Sequence, residues 1–151
     1  MSNNLKDSES VLRDVVQSLI DSQKGFQDIG EKLNDSALKE YFFAESLTRA
    51  SFKGELESVL TQEGVSDAHK ETGSVVGSLH RSWGDLKAKL GGGDHSLLET
   101  AEQGEDAAKA AYKKALENEL PLPIRQLLAS QAEHVQNSHD FVKAARDKTA
   151  A

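Results

Sequence analysis

Apolar residues recur along this chain at spacings of three and four, the period that gives a helix one apolar face. Leu12, Val15, Val16, Leu19, Ile20, Phe26 and Leu33 predict a first helix over about residues 6–33. Gly25 and Gly30 interrupt it, each costing about 1 kcal/mol relative to Ala in a helix interior. They suit the close approach of a neighbouring element. Asn34-Asp35-Ser36 then reads as a turn in which Asp35 or Ser36 caps the next helix. A second helix over about 37–63 follows from Leu38, Phe42, Phe52, Leu56 and Val59, and Gly64 suits its C-terminus.

Beyond a polar loop, Val76, Leu79, Trp83, Leu86 and Leu90 predict a shorter amphipathic helix over about 74–90, ended by Gly91-Gly92-Gly93. Asp94 is placed to cap a fourth helix over about 95–119, with Leu97, Leu98, Ala101, Ala108, Tyr112, Ala115 and Leu116 inside. Leu120-Pro121-Leu122-Pro123 stops that helix, and Pro123 suits the first turn of a last one over about 123–147. Its inward residues are Ile124, Leu127, Leu128, Val135, Phe141 and Val142. No strand pattern and no repeat stands out.

The expected fold is therefore all-α and a single domain over residues 1–151: a ferritin-like four-helix bundle with an additional crossover helix. An ordinary up-down bundle with the third helix as a fifth member is the alternative. At 151 residues, such a domain buries roughly 70% of its unfolded surface.

Composition removes several functions. The net charge of −7 gives no basic footprint for nucleic acid or an anionic membrane. The lack of cysteine removes disulfides, thiolate catalysis and Cys-type zinc sites. No leader and no stretch near the roughly 20 apolar residues of a membrane span is visible. The chain reads as an acidic cytoplasmic protein.

Candidate chemistry lies where polar residues fall on the apolar stripes. Gln23 continues the row of Leu12, Val16, Leu19 and Phe26; Glu45, with Arg49 one turn on, lies between Phe42 and Phe52. Glu105 sits between Ala101 and Ala108, and Gln131 and His134 lie between Leu128 and Phe141. Counted from the helix junctions they stand at similar heights. Ferritin-like di-metal sites take a Glu from each of two helices and Glu-x-x-His from each of the other two. Carboxylates bridge hard cations and histidine adds a nitrogen.

Here Glu45 is followed by Thr48 rather than His, Gln131 replaces the Glu of the last motif, and Gln23 is a neutral amide. Glu45, Glu105 and His134 are thus the metal candidates, with Gln23 and Gln131 in the same polar layer. The competing reading is an internal Glu45–Arg49 ion pair beside a hydrogen-bonded layer of Gln23, Glu105 and Gln131 that fixes helix register. No cofactor is expected; iron or manganese would be the metal if one binds.

Trp83 is expected to pack the crossover helix onto the bundle. His139 and Asp140, adjacent on a helix and so about 100° apart, are not expected to form a dyad. His69 and His95 read as solvated loop residues. Phe43 and Leu47 lie off the main stripe of the second helix and could pair with another copy.

Three segments resemble a known family: TGSVVGSLHRSWGDLKAKL (72–90), EQGEDAAKAAYKKAL (102–116) and SHDFVKAARD (138–147), joined by DSQKGF (21–26). They are similar to a family of uncharacterised bacterial proteins catalogued as domain of unknown function 2383 and placed among the ferritin-like folds. Positions matching its pattern are Gly73, Gly77, His80, Arg81, Trp83, Glu105, Asp106, Tyr112 and His139. The resemblance implies a ferritin-like bundle and no assigned activity; similar sequences often carry Glu at the place of Gln23. The expected function is a non-enzymatic ferritin-like protein without an intact di-iron site, related to stress or forming assemblies. The alternative is a metal-binding oxidoreductase or iron-handling protein.

Overall fold

The structure, a computed structural model, describes residues 2–65, Trp83 and residues 93–149. They form four helices: α1 (Ser2–Lys32), α2 (Ser36–Gln62), α3 (Gly93–Leu116) and α4 (Leu122–Lys148). The sequence-expected helix over 74–90 lies outside the described residues, Trp83 excepted. Among the described residues there is no strand, and no helix is long and apolar enough to cross a membrane.

Contacts between helix ends fix the topology. The α1–α2 turn meets the start of α3, and His95 at that start bonds Thr149 at the end of α4. At the other end Ser8 of α1 meets Glu119, just past α3. α1 and α2 therefore form one antiparallel hairpin, α3 and α4 another, and the hairpins lie side by side with α1 against α3 and α2 against α4. α2 and α3 run in the same direction on the diagonal, so residues 63–92 link opposite ends of the bundle.

The inward row of α1 is Ser8, Leu12, Val15, Leu19, Ser22, Phe26, Ile29 and Leu33, all at most 3% exposed. Its alternating steps of four and three keep one seam facing the partners along the whole helix, as in left-handed bundles. This row corrects the expected one. Ser22, not Gln23, occupies the seam; its hydroxyl donates to the Ser18 carbonyl, whereas Gln23 is half-buried and offers its backbone carbonyl to Ser46 Oγ at 2.8 Å.

The helix ends largely follow their sequence signals. Asp35 is the N-cap of α2, its carboxylate accepting from Leu38 N at 2.9 Å. Gly64 takes the left-handed φ of +83° just beyond α2. α3 ends at Leu116, three residues before the expected bound, and the Arg125 guanidinium donates to the freed carbonyls of Leu116 and Asn118.

Asp94 does not cap α3. The helix already begins at Gly93, and the Asp94 carboxylate instead accepts from Asn34 N at 2.8 Å and Asp35 N at 3.0 Å. It thus ties the α1–α2 turn to the second hairpin. Asp94→Ala should cost about 1–2 kcal/mol in urea unfolding, more than an ordinary exposed carboxylate. A change within a few tenths would show that water satisfies the turn equally well.

Two apolar clusters fill the interior. One, towards the start of α1, groups Leu12, Val15, Leu19, Leu56, Tyr112, Ile124 and Leu128 with their neighbours. The other groups Phe26, Ile29, Phe42, Trp83, Leu98, Ala101 and Val142. Phe141, expected inside, is 41% exposed and stacks on Tyr41 with ring centroids 3.8 Å apart. Residues 135, 138, 139 and 142 turn the inner face of α4 away from it.

Trp83 is buried between α1 and α3. Its indole meets the Phe26 ring edge-on at 5.2 Å and rests on Gly25 and Gly104. A Cβ on either glycine would overlap the indole, with even the third-nearest ring atom only 2.8 Å and 2.7 Å away respectively. Gly30 likewise admits the Phe43 ring, which would stand 3.0 Å from an added Cβ.

Candidate functional site

Between the two apolar clusters lies a layer of buried charge. α2 supplies Glu45 and Arg49, one turn apart on its inward face, and α3 supplies Glu105. Arg49 and Glu105 are wholly buried and Glu45 nearly so. Arg49 Nε donates to Glu45 Oε1 at 3.0 Å. On its other edge Nη2 donates to Glu105 Oε2 at 2.9 Å. Nη1 stands 2.7 Å from Glu105 Oε1, a Coulombic contact poorly aligned for a hydrogen bond. One guanidinium therefore spans both carboxylates, a task its planar fork of donors suits.

The cation also faces an aromatic floor. Arg49 Cζ lies 4.9 Å from the centre of the Phe26 ring, whose edges meet Phe42 and Trp83. Burial works against the charge of Arg49, but Glu105 first and Glu45 second outweigh it and hold its pKa above the ordinary value. It stays protonated at any working pH.

α4 closes the layer. His134 is 40% exposed at its side chain and its Nε2 lies 2.7 Å from Glu45 Oε1, so Glu45 receives both Arg49 and His134 on one oxygen. The imidazole stands edge-on to Phe52 with centroids 5.1 Å apart. Gln131 is buried one turn earlier, where its amide donates to the Phe52 carbonyl at 3.1 Å and its oxygen accepts from Tyr112 Oη at 2.8 Å. Burial pushes the Tyr112 phenol well above its usual range, so it remains a donor.

The structure thus brings together Glu45, Glu105 and His134 around Arg49, and places Gln131 beside them with Tyr112. Gln23 does not join them with its side chain. Arg49 was visible in the sequence as the i+4 partner of Glu45, but the reach of Arg49 across to Glu105 was not. Among the described residues, no three His, Cys, Asp or Glu side chains are grouped as ligands for a metal ion.

A second polar cluster ties α3 to α4 nearer the open ends of that hairpin. His139 is mostly buried; its Nε2 lies 2.9 Å from Asp106 and 3.8 Å from Glu102, and Glu102 also pairs with Arg146. His139 Nδ1 stands 3.1 Å from Asp140, which corrects the expectation that these neighbours do not meet. The Cα–Cβ bonds diverge, but the Asp140 carboxylate folds back along the helix to the ring, held also by Gln136. The bond from His139 outweighs slight desolvation and holds the Asp140 carboxyl below its ordinary range. His95 is partly exposed, bonded to Thr149 and near Glu99; His69 lies outside the described residues.

Residues 7–118, which hold Glu45, Arg49, Trp83, Glu105 and Tyr112, match the family described as Domain of unknown function (DUF2383). The chain belongs to that family. No curated protein matches it.

Proposed function

We propose that this protein is a non-catalytic bundle of ferritin-like connectivity, in which an arginine supplies the charge that di-metal bundles take from ions. Two antiparallel hairpins joined across the length of the bundle are the connectivity of that class. A di-metal member needs carboxylates from all four helices and a histidine one turn after two of them. Here the seam of α1 carries Ser22, Glu45 is followed by Thr48, Glu105 by Ala108, and α4 brings Gln131 with His134.

One observation carries the reading: the buried Arg49 guanidinium lies between Glu45 and Glu105 and engages both. A fixed positive charge in that space satisfies the carboxylates and opposes any cation entering between them. The bundle's work is then structural, performed by its outer surfaces.

A second reading, an iron- or manganese-binding protein using Glu45, Glu105 and His134, has its own support. His134 is half-exposed at the mouth of the layer, 2.7 Å from Glu45, where an ion from solvent could meet both. Elemental analysis separates the two. Protein purified without an affinity metal column, then exposed to ferrous iron anaerobically, should hold no stoichiometric metal. About one or more ions per chain, lost in Glu105→Ala or His134→Ala, would overturn the non-catalytic reading and make redox chemistry the leading case.

A further inference from the structure

The seam between α3 and α4 holds a histidine whose two ring nitrogens both face carboxylates. His139 Nε2 lies 2.9 Å from Asp106 Oδ1 of α3, and Nδ1 lies 3.1 Å from Asp140 Oδ1 of its own helix. An ionised carboxylate only accepts hydrogen bonds. A neutral imidazole donates from one nitrogen and presents a lone pair at the other, so it bonds one of these partners and repels the other. Only the imidazolium donates to both. The arrangement is complete in one protonation state of the ring.

The surroundings favour that state. α3 also sets Glu102 3.8 Å from Nε2, one turn before Asp106. Of the α4 cations, Arg146 pairs with Glu102, while Lys143 acts on Asp147. Lys109 of α3 acts on Asp140. Among the described residues no charged group of α1 or α2 pairs with the ring; α2 contributes the Tyr41 phenol, bonded to the adjacent Ser138. The imidazole is only 10% exposed, so water does little to replace a lost partner. Asp106 and Asp140 are mostly exposed and free to turn outward once repelled.

We propose that His139 is a proton-dependent clamp between α3 and α4, closed while the ring is charged and loosened when it loses its proton. Histidines exchange that proton between about pH 5 and 8, whereas carboxylates ordinarily titrate near about pH 4. The sign follows from the charges. On the acidic side of the window a cation of α4 meets Asp106 and Glu102 of α3; as pH rises that attraction is lost, and one nitrogen turns a lone pair to a carboxylate. The clamp lies on the seam of the second hairpin and stands apart from the reading of the charge layer.

A double-mutant cycle of His139→Gln with Asp106→Asn tests the link, read by urea unfolding of the full chain. At about pH 5.5 the two residues should couple attractively, by about two- to fivefold in the folding constant. At about pH 8.5 the coupling should shrink or change sign. Should His139→Gln fail to fold, the single variants Asp106→Asn and Asp140→Asn carry the test, since both replace exposed carboxylates. Each should destabilise at the lower pH. At the higher pH at least one should be neutral or stabilising, because its amide donates to the bare nitrogen that the carboxylate repelled. Glu117→Gln, at an exposed carboxylate further along the chain, sets the baseline for losing a charge. A coupling equal at the two pH values, or asparagine variants whose effects relative to Glu117→Gln do not change with pH, would overturn the proposal.

Discussion

Replacing Arg49 by Met should destabilise the protein by about 3–5 kcal/mol, because it leaves two buried carboxylates facing each other without a cation. For a domain of this size that corresponds to a fall in melting temperature of roughly 6–20 °C, read by calorimetry or urea unfolding. Arg49→Lys should recover only part of the loss. A single ammonium cannot present one edge to Glu45 and a two-oxygen face to Glu105, as the guanidinium does.

The sharper test removes the charge altogether. The triple variant Glu45→Met, Arg49→Leu, Glu105→Met should be close to the parent in stability, or above it, since apolar packing often matches a buried ion cluster. A parent-like Arg49→Met would mean that water reaches the layer. A triple variant as unstable as Arg49→Met would mean that packing volume, not uncompensated charge, sets the cost.

The second large effect concerns the seat of Trp83. Alanine in place of a helical glycine ordinarily stabilises by about 1 kcal/mol, and Gly54→Ala should do so because its added methyl meets open space. Gly25→Ala and Gly104→Ala should have the opposite sign. Their methyl groups would overlap the indole, so the bundle must either strain by about 1–3 kcal/mol or release the ring. Release forfeits the burial of the largest side chain type, and Trp83→Ala sets the upper bound at about 3–5 kcal/mol.

Trp83 is the only tryptophan, so its emission reports the outcome directly. A red shift should accompany the stability loss in both glycine variants and be absent in Gly54→Ala. Two alanine variants with parent-like emission and raised melting temperatures would show that the indole does not rest on these glycines.

How far the sequence revealed this molecule depended on how many residues each feature needed. The four described helices were legible because each repeats its apolar signal over many turns, and Asp35, Gly64 and the Pro121–Pro123 segment act locally at their ends. Asp94 misled because its carboxylate has two kinds of acceptor role open to it, and the tertiary one, towards the α1–α2 turn, won. The row through Gln23 misled because successive steps of three and four can be summed in two ways. The buried seam keeps a period of 3.5 and passes through Ser22.

The Glu45–Arg49 pair was visible as an i,i+4 spacing within one helix. Its extension to Glu105 was not, since nothing in a single sequence sets the rotation of α3 against α2. Gly104 was invisible for the same reason: its value lies wholly in a tryptophan 21 positions earlier. The contact of His139 with Asp140 was excluded by reasoning from Cβ directions, and two additional rotatable bonds in the aspartate defeat that reasoning.

The position of the charge layer also orders the assembly of the chain. Each hairpin is made of neighbours in sequence and can form through local contacts, but Arg49 belongs to one hairpin and Glu105 to the other. The guanidinium can shed its water fully only as the hairpins close on each other, so its pairing with Glu105, unlike that with Glu45 on its own helix, should fall late on the folding route. Interactions absent from the transition state act on the rate of unfolding rather than of folding. The arginine at the centre of this bundle is thus less a guide to folding than a latch on the folded state, setting how long a closed molecule stays closed.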